Sequence, residues 1–483
     1  LTLNYLDDSG APTGEYSSLI VGMDSDFVAF PYDPDGSVEV RLPKGTYAVD
    51  HTVLTGDPLH YNMISQPGLV LDGDQTVDVD ARTAKPINVT PPAAAQLAIG
   101  DIGYSVATET FEFSSAFVTD DLGVLSTAQL GDPAPGTQLT GKVNTQWQGE
   151  NGSFYGLTWY PAGEFPTGFE KQVGMDELAT VRGQWGPGGE GHGAQRLAFG
   201  LPASGGGFIF GANLDVALPG TRTEYYTTDG VVWETSVTEV GADGQAAAQF
   251  DAPSRAYRAG RTYSAKFNNA VFGPGLPARE FPWAYRFADE MGVNLPLFTD
   301  AYGNAGFSIG DTSSTKLYAG DELVGESPEA GYGFFEDLPA EATDYRLTSD
   351  IVRSGWDVST SISSEWTFSS AHVDGEVEAA VELNTVRFLP SLDENNSAPA
   401  GRPFLVPLLM QDETGALQRP KRLTVEVSYD EGKSWQRVPV LLNLVAALHH
   451  PDGAESVSLR ASAADRDGNT VSQTVVRAYK LRK

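Results

Sequence analysis

Apolar and polar residues alternate at every second position along this chain, and that period limits what it can fold into. Val38, Val40 and Leu42 alternate with Glu39 and Arg41; Val77, Val79 and Ala81 alternate with Asp78 and Asp80; Leu423, Val425 and Val427 alternate with Thr424 and Glu426. Only extended strands place such residues on one face. The 53 glycines and 30 prolines fall mainly between these runs, where they supply turn dihedrals. The 3.6-residue spacing of a long helix is almost absent. The longest predicted helical stretch is Phe281 to Gly292, confined by Pro282 and Gly292. The predicted fold class is all-β, with several β-sandwich domains.

A chain of 483 residues is too long for one core, and a prior of roughly 150 residues per domain gives about three or four. Residues 1–85 read as a small prealbumin-like sandwich. In it Val38–Leu42 turns through Pro43-Lys44-Gly45 into Thr46-Tyr47-Ala48-Val49 as a hairpin, and Thr76 to Arg82 closes the unit. A linker rich in Pro and Ala, Thr90-Pro91-Pro92-Ala93-Ala94-Ala95, follows. Residues 96–290 form an irregular, aromatic-rich β domain with long loops, such as Trp185 to Gly193. Residues 291–384 form a further sandwich. Residues 385–483 read as an immunoglobulin-like or fibronectin-like sandwich, with a hairpin from Val427 to Trp435 through Asp430-Glu431-Gly432-Lys433.

The formal charge of −33, from 64 acidic against 31 basic residues, repels phosphate backbones and anionic lipid, so no nucleic-acid partner is expected. There is no cysteine, which removes disulfides, thiolate metal sites and cysteine nucleophiles. No apolar run approaches 18 residues, and residues 1–30 lack the basic start of a signal peptide, so no membrane span is expected. The chain begins at Leu1 already in a strand pattern, which suggests that an upstream segment has been removed. An acidic, cysteine-free, glycine-rich composition fits an extracellular protein.

A serine-protease triad needs a serine, a histidine and an orienting aspartate. Asp8-Ser9-Gly10 and His192-Gly193 resemble two of the three motifs of subtilisin-like enzymes, but no Gly-Thr-Ser-x-Ala string stands anywhere in the sequence. Both strings also serve as ordinary turns, and no catalytic residue is expected. The six histidines are scattered apart from His449-His450, whose side chains would point to opposite faces of a strand. Asp465, Asp467 and Asn469 space oxygen ligands two residues apart, as do Asp33, Asp35 and Ser37, so calcium is a candidate cofactor. Both loops lack the glycine and the bidentate glutamate of an EF-hand and read equally as polar turns. Trp147, Phe154, Tyr155, Trp159, Tyr160 and Trp185 form the densest aromatic stretch. Trp147, Tyr155, Trp159 and Trp185 could stack on a sugar or hold a peptide, or they could fill a core.

Several strings occur together and in one order: Arg261-Thr262-Tyr263, Asn269-Ala270-Val271-Phe272-Gly273-Pro274, Glu365-Trp366-Thr367-Phe368-Ser369-Ser370-Ala371-His372-Val373, Val386-Arg387-Phe388-Leu389-Pro390-Ser391-Leu392, Ala398-Pro399-Ala400-Gly401, Val427-Ser428-Tyr429-Asp430 with Trp435, and Val457-Ser458-Leu459-Arg460-Ala461. In this order they resemble the carboxy-terminal region of the large secreted subtilisin-like serine peptidases of high-GC bacteria. The resemblance is strongest over 253–483 and looser over 1–92. The apolar run Leu441 to Leu448 departs from the pattern. The resemblance implies a non-catalytic accessory region that positions substrate, stabilises the catalytic domain or attaches to a surface. Its partners would be the catalytic domain of the parent peptidase and a protein or polysaccharide substrate. The alternative expectation is an extracellular polysaccharide-binding β-sandwich protein.

Overall fold

The computed structural model describes residues 1–375 and 377–483. It is built of strands, turns and three short 3-10 segments, with no α-helix among the described residues. The all-β expectation holds, and among the described residues the strands assemble into seven sheets. Among the described residues no helix is long and apolar enough to cross a membrane.

Three layers make up the first third of the chain. Thr2–Leu6 lies between Ser37–Glu39 and, in parallel, Thr76–Asp80. Leu3, Tyr5 and Val79 from this small sheet pack with Ile20, Tyr47, Val49 and Ile64 of a seven-stranded sheet. That second sheet is covered on its other face as well. There Ala48, Met63, Ile87 and Val89 meet Ile102, Tyr104, Val106 and Val143 of a second seven-stranded sheet. A strand buried on both sides needs apolar residues at consecutive positions. This accounts for the unbroken Tyr47-Ala48-Val49 at the centre of Gly45–Thr55.

The expected hairpin through Pro43-Lys44-Gly45 does not form. Ser37–Glu39 pairs with Thr2–Leu6, whereas Gly45–Thr55 pairs with Tyr16–Gly22 and His60–Leu71, so this turn is an arch between sheets. The seam expected between 85 and 96 is also bridged. Leu125–Gln129 pairs in parallel with His60–Leu71, and Lys85–Thr90 joins the same sheet. Alternation reports which face a residue takes but not which strand lies beside it.

The predicted helix from Phe281 to Gly292 is a hairpin, Ala284–Phe287 paired with Glu290–Asn294 around Ala288 and Asp289. Ala284 and Arg286 are buried while Tyr285 and Phe287 are half-buried, a period of two that the flanking Pro and Gly obscure in the sequence. The Val427–Trp435 hairpin forms as expected, between Arg422–Ser428 and Gln436–Val438. Its sandwich is not separate from the unit before it. Ser361–Ser370 pairs with Thr470–Arg482 over seven residues, from Ser361↔Val476 to Thr367↔Thr470. Residues 312–370 and 422–482 therefore share one nine-stranded sheet, and a single buried cluster unites Trp185, Phe272, Leu317, Trp366, Val386, Val425 and Val475.

The second seven-stranded sheet also packs against a five-stranded sheet that includes Gly193–Pro202 and Val231–Val240. Between them Trp233 lies over Gly156 and Gly200, where an added Cβ would come within 2.6 Å and 2.8 Å of its ring. Beside it Arg196, Arg222 and the Tyr226 hydroxyl all donate to the buried Glu224 carboxylate. Burial alone would raise this carboxyl, but the two guanidinium groups outweigh it and hold it at about 2.

Candidate functional site

Gln138–Gly149 is an interior strand of the second seven-stranded sheet, yet Lys142, Asn144 and Gln146 carry polar groups on one of its faces and are all buried. Their partners are main-chain atoms of a loop 66 residues further on. Lys142 Nζ donates to the Phe208 carbonyl at 2.7 Å, Asn144 Nδ2 donates to the Phe210 carbonyl at 2.9 Å, and the Ala212 N–H donates to Gln146 Oε1 at 2.9 Å. From the neighbouring strand, Asp101 Oδ2 accepts the Phe210 N–H at 2.8 Å while its Oδ1 lies 2.7 Å from Lys142 Nζ. Residues 208–212 thus run alongside the strand as an extended segment held by side chains rather than by a backbone ladder. Burial raises the Asp101 carboxyl and lowers the Lys142 ammonium, each opposed by the attraction of the other.

Ahead of this segment Gly205, Gly206 and Gly207 all take positive φ, at 82°, 72° and 90°, a run that side-chain-bearing residues resist. The turn they make raises the loop off the sheet and leaves a cleft of about 340 Å³ between it and the strands Glu112–Thr119, Ala95–Ala107 and Gln138–Gly149. Ser105, Ser114, Gln138, Thr140 and Lys142 line its floor. Tyr160, Phe208 and Phe210 form its wall, with the two phenylalanine rings edge to face at 4.7 Å. Phe208 is 59% exposed. The Tyr160 hydroxyl donates to the Gly200 carbonyl at 2.5 Å, and burial raises its pKa.

The aromatic residues expected to bind ligand do not share a surface. Trp185 is 2% exposed and Tyr155 is 4% exposed, so both are packing residues and cannot stack on a ligand. The Arg222 guanidinium lies over the Trp185 ring, and Tyr155 stacks on Tyr225. Trp159 packs on Phe169 against the core, half-buried. Trp147 is also half-buried; its indole donates to Thr145 Oγ1, and its ring borders a shallow depression with Thr90, Asp120 and Asp121. A large aromatic in a strand-rich chain packs by default. Of the aromatic stretch singled out in the sequence, only Tyr160 reaches the cleft. Lys142, Asn144 and Gln146 were missed: with Thr145 polar and Trp147 half-buried beside them, the alternation with apolar residues is broken, and their burial follows from the loop that covers them.

Asp465, Asp467 and Asn469 form a turn. Asp465 Oδ1 accepts the Asp467 and Gly468 N–H groups, its Oδ2 accepts Asn384 Nδ2, and Asn469 Nδ2 donates to Glu382. Among the described residues no three acidic or histidine side chains converge as a metal-binding group would.

His192 faces Glu239. In the Asp8 segment it is Asp7 that holds the turn, accepting from the Ser9 and Ala11 N–H groups. Two histidines do touch serines: His60 Nε2 lies 2.9 Å from Ser126 Oγ, and His51 Nδ1 lies 3.1 Å from Ser18 Oγ. Among the described residues no carboxylate hydrogen-bonds either ring.

The fold and cleft define a multidomain β-sandwich protein with a loop-walled polar pocket. No protein-family profile matches the chain, and no curated protein matches it. Among solved structures it is similar to the FN1–FN3 domains of chicken CNTN1, at 10% identity over 71% of this chain and 94% of that one, with a TM-score of 0.13. It is also similar to the native conformation of E. coli alpha-2-macroglobulin, at 9% identity over 99% of this chain and 39% of that one, with a TM-score of 0.19.

Proposed function

We propose that this chain is a non-catalytic accessory region of a secreted subtilisin-like serine endopeptidase, a rigid scaffold that offers a binding cleft beside the parent catalytic domain. The observation that carries this reading is where the family-like strings lie. Phe272, Trp366, Phe368, Val386, Phe388, Val427, Leu459 and Ala461 all belong to the one core that fuses the carboxy-terminal sheets. These strings therefore supply packing, which is what a supporting region asks of them. Functional groups are grafted elsewhere, on the loop-walled cleft.

A reactive serine is the decisive test. The purified chain is expected neither to hydrolyse casein nor to be labelled by a serine-directed covalent inhibitor. Stoichiometric labelling of a serine, with casein hydrolysis lost in parallel, would replace this reading with a catalytic one.

A further inference from the structure

The floor of the cleft is a grid set by strand register. Across Glu112–Thr119, Ala95–Ala107 and Gln138–Gly149 the aligned rows are Glu112, Ala107 and Gln138; then Ser114, Ser105 and Thr140; then Ala116, Gly103 and Lys142. Gly103 keeps the last row flat, since a Cβ there would stand 2.1 Å from the Ser115 carbonyl oxygen. The middle row presents three hydroxyls, and among the described residues none of the three is hydrogen-bonded within the chain.

We infer that this grid, walled by Phe208, Phe210 and Tyr160, binds a neutral carbohydrate chain. The inference rests on the cleft being the binding site proposed above. A hydroxyl both donates and accepts, so a row of free hydroxyls with the Gln138 amide matches a ligand that carries hydroxyls itself. The exposed Phe208 and Phe210 rings offer apolar faces for the C–H side of a sugar ring. The charge pattern, with Glu112 in the first row, selects against anions. Lys142, the only cation on the floor among the described residues, is already taken by Asp101 and the Phe208 carbonyl, and the chain's net charge of −33 disfavours an anionic glycan. An extended peptide is disfavoured too. The floor is a sheet face lined by side chains, whereas strand addition would use the outer edge of Glu112–Thr119, the terminal strand of the sheet, and leave the row of hydroxyls unused. The volume of about 340 Å³ is at the small end for ligand pockets and suits a short glycan segment.

Affinity electrophoresis of the full chain in gels containing soluble neutral polysaccharides (a β-glucan, a galactomannan and a xylan) tests this, with polygalacturonate as the anionic arm and a neutral-glycan glycoprotein as the second source of the same chemistry. Retardation by at least one neutral polysaccharide or by the glycoprotein is expected, with none by polygalacturonate. Phe208→Ala and Thr140→Val should each weaken it about fivefold or more without shifting the melting temperature, since Phe208 anchors the loop through its carbonyl. Retardation by the polysaccharides locates the ligand in a matrix or wall, and retardation by the glycoprotein alone locates it on a substrate. If no neutral glycan retards the chain but reduced, unfolded casein binds and Phe208→Ala weakens that binding, the carbohydrate inference falls and the binding-cleft reading stands. If both variants bind every ligand as the parent chain does, or nothing binds, the cleft reading falls with it.

Discussion

Glu239 is fully buried, and its Oε1 lies 2.6 Å from Nδ1 of His192. The same oxygen accepts the Gly189 N–H at 2.6 Å and the Trp356 indole at 3.1 Å, while Oε2 accepts Asn268 Nδ2 at 3.1 Å. One carboxylate therefore ties the 186–193 loop, the chain around 268 and the 353–356 loop together. Replacing it by Ala strands several buried donors at once. Glu239→Ala is expected to cost about 3–5 kcal/mol, and Glu239→Gln, which keeps an acceptor, clearly less. Thermal melting of the two variants checks the order; equal losses would mean that the charge alone matters.

The sheet shared by 312–370 and 422–482 predicts one cooperative transition for everything from about 270 onward. Calorimetry of the full chain should show no separate peak for 291–384 or 385–483. The isolated fragment 385–483 should be largely unfolded, because Thr470–Arg482 would lose its pairing with Ser361–Ser370 and expose the Trp366 face of the core.

His51 is sealed in the first core, and burial holds its pKa down at about 3. An unfolded histidine takes its proton near pH 6.5, so between these values the unfolded chain binds more protons than the fold. The stability is complete above about pH 6.5 and is lost as pH falls towards 3, by up to about 1.4 kcal/mol per pH unit. His51→Asn should flatten the dependence of melting temperature on pH between 6.5 and 4 for the amino-terminal unit. An unchanged slope would place the acid sensitivity elsewhere.

Trp233 fits against two glycines, and methyl groups have no room there. Gly200→Val is expected to destabilise by about 1–3 kcal/mol through overpacking. Trp233→Leu in the same chain should recover part of the loss. Full additivity of the two changes would argue against the contact.

Asn144→Ala removes the donor to the Phe210 carbonyl and the acceptor of the Thr158 hydroxyl. Loosening the loop by about 1 kcal/mol should raise its open population roughly fivefold. Proteolytic nicking at 203–207 would accelerate in proportion, and mass spectrometry of the fragments reads the site.

Much of the fold was legible because alternation survives in nearly every strand, from Val231–Val240 to Arg422–Ser428. What the sequence could not convey was partnership. Pro43-Lys44-Gly45 looks the same whether it closes a hairpin or arches between sheets, and nothing in Ser361–Ser370 announces that its neighbour is Thr470–Arg482. The site was less legible still. Trp185 drew attention by size, and size is what buries it, whereas Lys142, Asn144 and Gln146 act through main-chain atoms of a loop whose position only the fold supplies.

Thr470–Arg482 lies between Ser361–Ser370 and Ser456–Ala464, at the middle of the nine-stranded sheet. As the polypeptide emerges in order from the ribosome, the strands before it can only wait, side by side with a gap, until this segment arrives to fill it. Closure of this sheet is thereby postponed until the segment up to Arg482 has emerged, which keeps the strands from 312 to 464 open to rearrangement until then.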